Sequence, residues 1–200
     1  MQRIAGLAGP LAVLLGLVAC ANGGRDFIRP EAGSFKLGQT TYAQVVQKTG
    51  EPKTVSDALR NDKPVKNIVY SYANAAGQPL EAGVTPYRAM TYSFYNDVLV
   101  GAQFMSSFKS DNSNFDDTLV DRIKKGQTTR AEVIQLFGPP SASFIAPMVK
   151  ETSGDAIGYS YQAIRGGILT GLKMHLKALR ISFDDKGVVV DVDYATQGAQ

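Results

Sequence analysis

One histidine and one cysteine in 200 residues set narrow bounds on the chemistry open to this chain. Transition-metal sites draw several ligands from those two residue types, so no metal site is expected. Ser/His/Asp catalysis would have to run through His175, and no nucleophile motif lies near it. The paired carboxylates Asp116-Asp117 and Asp184-Asp185 stand at a helix start and in a turn, while Asp191 and Asp193 fall on the polar side of a strand. Each has a structural use, so the expectation is a protein with no catalytic residue and no cofactor. Lys173, His175 and Lys177 alternate with Met174 and Leu176. That spacing predicts a solvated strand face, a basic strip able to meet anionic headgroups or an acidic partner. The alternation slips at Ala178-Leu179, which predicts a β-bulge or a later strand start.

Cys20 is the other reactive side chain. It follows Arg3 and an apolar run over Ile4–Val18, the layout of a secretory leader. The run is short of the roughly 20 apolar residues that span a bilayer. It ends in Leu17-Val18-Ala19-Cys20, which resembles the bacterial lipobox. The expectation is that residues 1–19 are removed and Cys20 is acylated, several chains giving a stable hold on lipid where one is marginal. By resemblance to lipoprotein sorting rules, Ala21 and Asn22 after the cysteine imply the periplasmic side of the outer membrane of a Gram-negative bacterium. With one cysteine there is no intramolecular disulfide. A formal charge of +3 with scattered basic residues argues against nucleic acid.

The elements that must position these residues are announced by an internal repeat. Gly38, Gln39, Thr40, Thr41, Ala43, Val45, Gln47, Gly50 and Pro52 recur as Gly126, Gln127, Thr128, Thr129, Ala131, Val133, Gln135, Gly138 and Pro140. A repeat of this length marks two copies of one supersecondary unit. Thr41 with Gln44, and Thr129 with Glu132, form capping boxes that predict helices over about 42–49 and 130–137. Gly50 and Gly138 suit the left-handed residue that ends a helix, and Pro52 and Pro140 stop continuation. The Gly-Gln-Thr-Thr loops could cradle phosphate at a helix start, but no P-loop lysine follows and the threonines are committed to capping. A further helix is predicted before the second copy, capped at Asp116 or Asp117; in the first copy Pro30 and Gly33 reduce it to a turn.

After each helix the period changes to two. Ile68, Tyr70 and Tyr72 correspond to Ile157, Tyr159 and Tyr161; Met90, Tyr92 and Phe94 to Leu179, Ile181 and Phe183; Val98, Val100, Ala102 and Phe104 to Val188, Val190, Val192 and Tyr194. The expected fold is α+β, two tandem helix(-helix)-β-β-β units, each an antiparallel three-stranded sheet with one or two short helices on one face. Its expected divisions are leader 1–19, lipidated cysteine and flexible tether 20–34, first domain 35–108, linker 109–115, second domain 116–194 and tail 195–200. The longest loops inside the copies, 73–87 and 163–171, are candidate binding loops.

Gly38…Gln44-Val45…Gly50-Glu51-Pro52 and Gly126…Glu132-Val133…Gly138-Pro139-Pro140, each followed by a Tyr-rich strand and a Phe-ending hairpin, resemble the SmpA/OmlA/BamE-like lipoprotein domain. Arg29-Pro30-Glu31 resembles that family's Arg-Pro-acidic tether, which makes Arg29 a further binding candidate. The tandem arrangement is similar to that of the β-lactamase inhibitor protein. The resemblance implies a non-enzymatic outer-membrane lipoprotein supporting envelope assembly or integrity, with protein partners that include the β-barrel assembly machinery. Two other functions stay open: an inhibitor or binder of a periplasmic enzyme, and a structural component of a secretion or surface apparatus.

Overall fold

The computed structural model describes residues 22–150, 154–167 and 171–198. The leader and Cys20 lie outside the described residues. Nine strands form one open antiparallel sheet: β1 (Asn22–Gly24), β2 (Thr54–Arg60), β3 (Lys63–Asn74), β4 (Tyr87–Tyr95), β5 (Val98–Ser106), β6 (Ala142–Ile145), β7 (Asp155–Gly167), β8 (Gly171–Phe183) and β9 (Val189–Gln197). The order is β1-β3-β4-β5-β6-β7-β8-β9, with β2 pairing the other part of the β3 edge. This corrects the expectation of two tandem units with three-stranded sheets. The difference lies in β6, which pairs with β5 through Gly101–Gln103 and with β7 through Asp155–Gly158. One four-residue strand thereby becomes a shared rung, and the sheet has no internal edge left to expose.

Two helices, α1 (Tyr42–Thr49) and α2 (Arg130–Phe137), cover one face. Both capping boxes form, Thr41 accepting from the Gln44 amide and Thr129 from the Glu132 amide. The rest of the repeated motif docks the helices on the sheet. Gly38 N–H donates to Leu99 O and Gly126 N–H to Val189 O, both at 2.8 Å. Lys36 N–H donates to the Thr40 hydroxyl and Lys124 N–H to that of Thr128. Tyr70 and Tyr159 donate their hydroxyls to the carbonyls of Gly50 and Gly138. Gly50 and Gly138 sit at φ 80° and 79°, where a side chain is strained. Gly38, Thr40, Thr41, Gly50 and their counterparts Gly126, Thr128, Thr129 and Gly138 therefore have backbone tasks.

Val45 and Val133 are fully buried at the centres of two core clusters on that face. The first adds Ile68, Tyr70, Met90, Tyr92, Phe94, Leu99 and Phe104; the second adds Ile157, Tyr159, Leu179, Ile181, Phe183 and Val189. All but Leu99 and Val189 are alternating positions read from sequence; there the reading put Val98, Val100, Val188 and Val190 on the core face, and the register shifts at Ser93/Phe94 and Ser182/Phe183 bring Leu99 and Val189 to it instead. A third cluster, Ala142, Phe144, Val149 and Ala156, lies on the opposite face, with Met148 against it. Gly101 and Gly158 make room there: a Cβ on Gly101 would stand 3.0 Å from the Phe144 ring, and one on Gly158 3.2 Å from Ala142.

The stretch expected as a flexible tether is docked. Gly23 and Gly24 pair with Ala73 and Tyr72, and Phe27 packs on the first core. The linker is docked too, with Ser113 accepting from Ser106 N–H and donating to Ser160 O at 2.6 Å, so that it continues the seam between β5 and β7. The predicted helix before α2 is a short 3-10 helix, Asp117–Arg122, capped by Asp116. In the first copy only turns stand at that place. β9 runs to Gln197, so residues 195–197 of the expected tail are strand. The 163–171 loop is mostly hairpin: β7 and β8 pair from Asp155↔Phe183 to Gly167↔Gly171.

Candidate functional site

The helix-free face carries an open groove of about 650 Å³ where the halves of the sheet meet. Its floor is built by strand parity. Gly158 of β7, Ala178 and Arg180 of β8, and Asp191, Asp193 and Ala195 of β9 point away from the helices because their neighbours Tyr159, Leu179 and Val192 point toward them. One wall is the tip of the β2–β3 hairpin, Leu59–Asn61, and another is the 146–150 loop. Asn61 ties those walls together by donating to Pro147 O at 2.9 Å and to Val149 O at 2.8 Å. Its φ of 47°, with 60° at Asp62, makes the tight turn that aims the side chain there.

The groove has mixed charge. Arg60, Lys150 and Arg180 face Asp191 and Asp193. Arg180 bonds Asp193 at 2.5 Å, and Asp191 meets Lys125 at 2.6 Å and Lys150 at 3.4 Å. The Lys125 ammonium is the main cause holding the Asp191 carboxyl below its ordinary range. Arg60 belongs to no ion pair among the described residues and is exposed. The groove thus sets charged and hydrogen-bonding groups beside small and apolar side chains, the make-up of a protein contact surface. Its only carboxylates among the described residues, Asp191 and Asp193, are held by cations, so neither stands as a free general base.

The predicted basic strip is taken apart by the register. Tyr161 pairs with Lys177 and Ala163 with His175, so these two basic residues share the helix-side face with Leu179 and Ile181. Both are 8% exposed, whereas Lys173 is exposed. The expected slip at Ala178-Leu179 does not occur; the irregularity of β8 lies at Ser182/Phe183. Lys177 donates its ammonium to Phe115 O and to Asp117 at 2.8 Å, and sits 4.8 Å from the Phe115 ring centre. Asp117 also accepts from the Tyr194 hydroxyl at 2.6 Å. The Lys177 hydrogen bond, then that from Tyr194, holds Asp117 down at about 2, while Tyr194 is pushed up. His175 has a buried Nδ1 without a partner and pairs across the ladder with Ala163, so no triad forms around it among the described residues.

Sequence reasoning did not single out Arg88, the counterpart of Lys177 one repeat earlier. It donates to Phe27 O at 2.6 Å, pairs with Asp26 at 3.3 Å and Asp111 at 3.5 Å, and lies 4.3 Å from the Phe108 ring centre. The signal was available, since Tyr72 and Tyr161 are matched by the repeat and Arg88 and Lys177 stand opposite them. Arg29 donates to Pro140 O at 3.0 Å and lies 5.1 Å from the Phe104 ring centre. It bolts the N-terminal segment to the second motif. The four binding candidates are therefore not brought together: Arg29 lies over the first half, His175 and Lys177 are buried in the second, and Lys173 is exposed near the β7–β8 tip. Comparison of the chain with protein-family models, with curated proteins and with solved structures returns no match.

Proposed function

We propose that this is a non-enzymatic protein-interaction module, held to the periplasmic side of the outer membrane by acylated Cys20 and acting in envelope assembly or integrity. The observation that carries the reading is the groove on the helix-free face, whose walls come from both halves and whose charges are of both signs. The lipobox-like Leu17-Val18-Ala19-Cys20 supports the anchor, and the paired Gly-Gln-Thr-Thr motifs support kinship with BamE-like domains. Leu59, beside Arg60 on the hairpin wall, is largely exposed and gives the groove an apolar anchor for a partner.

The test is crosslinking in the envelope with a photoreactive residue at Leu59, compared with one at Gln47 on the helix side. Specific adducts at Leu59 that vanish in Arg180→Glu support the groove. Equal adducts from both positions, or adducts indifferent to Arg180→Glu, refute it. Among captured proteins, barrel-assembly components support the assembly role, and a single soluble hydrolase speaks for an inhibitor instead. Cys20→Ala should release the chain from membranes, and continued attachment would refute the anchor.

A further inference from the structure

The start of β1 and the tip of the β7–β8 hairpin lie at one end of the sheet. Asn22 stands against Asn74, at the close of β3. Asn74 N–H donates to Pro86 O at 3.0 Å, and the neighbouring Thr85 N–H donates to Ile164 O at 2.7 Å. Val84 bridges to Arg165, and the Glu81 carboxylate pairs with the Arg165 guanidinium. Lys109 N–H donates to Gln78 O at 2.9 Å, which adds the start of the linker. The place where the chain leads back toward Cys20, the 73–87 loop and the hairpin tip are thus joined by hydrogen bonds. Only Ala21 separates Cys20 from Asn22, and two residues reach at most about 7 Å.

The hairpin overruns the sheet at this end. β7 and β8 pair as far as Gly167↔Gly171, whereas the ladder of β8 with β9 stops at Leu176↔Gln197. On the overhang Leu172 is 74% exposed and Met174 56%, and strand parity puts both on one face. Leu80, on the adjoining loop, is exposed as well. Large apolar side chains gathered on a projecting element mark a contact surface. Lys109 and Lys173 are exposed beside them, and neither is in an ion pair among the described residues. The other ends of the strands have the opposite character. Their turns after β2, β4 and β8 carry Asp62, Asp97, Asp184 and Asp185 against Lys186.

We infer that the end of the sheet formed by the 73–87 loop and the β7–β8 tip docks on a phospholipid bilayer, Leu172 and Met174 entering the interface while Lys109 and Lys173 meet anionic headgroups. The inference rests on the lipid anchor proposed above, because acyl chains on Cys20 would hold this end, and not the acidic one, against lipid. A contact made by a tethered chain is intramolecular, so a few side chains suffice to fix the orientation. The groove on the helix-free face then stays clear of the bilayer, since its wall Leu59–Asn61 lies at the opposite end of β3.

The experiment places the full acylated chain in vesicles of phosphatidylethanolamine and phosphatidylglycerol. Acylation leaves Cys20 without a free thiol, so Leu172→Cys can be labelled alone with a nitrobenzoxadiazole probe, and Asn96→Cys carries the same label at the far end. Blue-shifted emission quenched by doxyl lipid is expected from position 172, and water-like emission from position 96. In the labelled Leu172→Cys chain, Lys173→Gln should weaken docking about fivefold, the worth of one basic residue at an anionic surface. Met174→Asp should abolish the blue shift while the chain stays on the vesicles. An acylated chain whose probe at 172 remains in water, or matches the probe at 96, overturns the inference and leaves the anchor standing. Docking unchanged by Met174→Asp overturns it too. An unacylated mass for the purified chain overturns the anchor, and the inference with it.

Discussion

Arg88 and Lys177 occupy the same place in the two halves and do the same task by different means. Each is buried on the helix-side face opposite a repeated tyrosine, each lies over a phenylalanine, and each donates to the carbonyl of the phenylalanine that leads into its half, Phe27 or Phe115. The guanidinium spreads its charge between Asp26 and Asp111, while the ammonium concentrates on Asp117. That follows from their shapes, a fork with five donors against a compact point charge. The lesson is that the sheet recruits its lead-in segment with one buried cation per half, and that the second half depends on a single carboxylate. The same lead-in is a packed 3-10 helix in one half and a run of turns in the other.

The largest expected effect tests that dependence. Asp117→Ala strands the Lys177 ammonium in a site 8% exposed and should cost about 3 kcal/mol, read from the urea midpoint. Asp26→Ala leaves Arg88 with Asp111 and Phe27 O and should cost under about 1 kcal/mol. Equal losses would break the contrast. Next in size, Ile181→Tyr forces a phenol into the filled second core and should cost about 2 kcal/mol. Tyr92→Phe, at the matched position, removes an unpartnered hydroxyl and should leave stability unchanged or raise it.

The pH dependence follows from Asp117. Its folded value, about 2, lies below the ordinary 3.8, so its contribution is whole above 3.8 and is lost as pH falls toward 2. Amide exchange near the 3-10 helix and β8 should accelerate through that window, before exchange around Arg88, and Asp117→Asn should flatten the difference. One pair of effects should be equal in both halves: Thr41→Ala and Thr129→Ala each lose a capping box worth about 1 kcal/mol. Unequal values would mean that the shared motif is not energetically equivalent.

Much of the helix-side architecture could be read from residue order. The capping boxes, both helix ends and most of the alternating core positions are local events set by side-chain chemistry within a few residues. β2 and β6 could not be read that way. Thr54–Arg60 has no apolar alternation because it is an exposed edge, and Ala142–Ile145 is four residues whose identity as a strand comes from partners on both sides. The groove depends on those two elements, so its walls were equally hidden. The basic strip failed for a related reason: a face that looks polar in one strand is core once Tyr159 and Tyr161 lie beside it.

Taken alone, the order of residues determined two copies of a capped helix with following strands, because caps, glycine stops and period-two alternation are short-range. Only the tertiary structure decided that the strands join through β6 into one sheet, that Lys177 is buried rather than displayed, and that the Tyr92 hydroxyl is buried without a partner. Those outcomes rest on pairing and burial between segments tens of residues apart, which local preference does not encode.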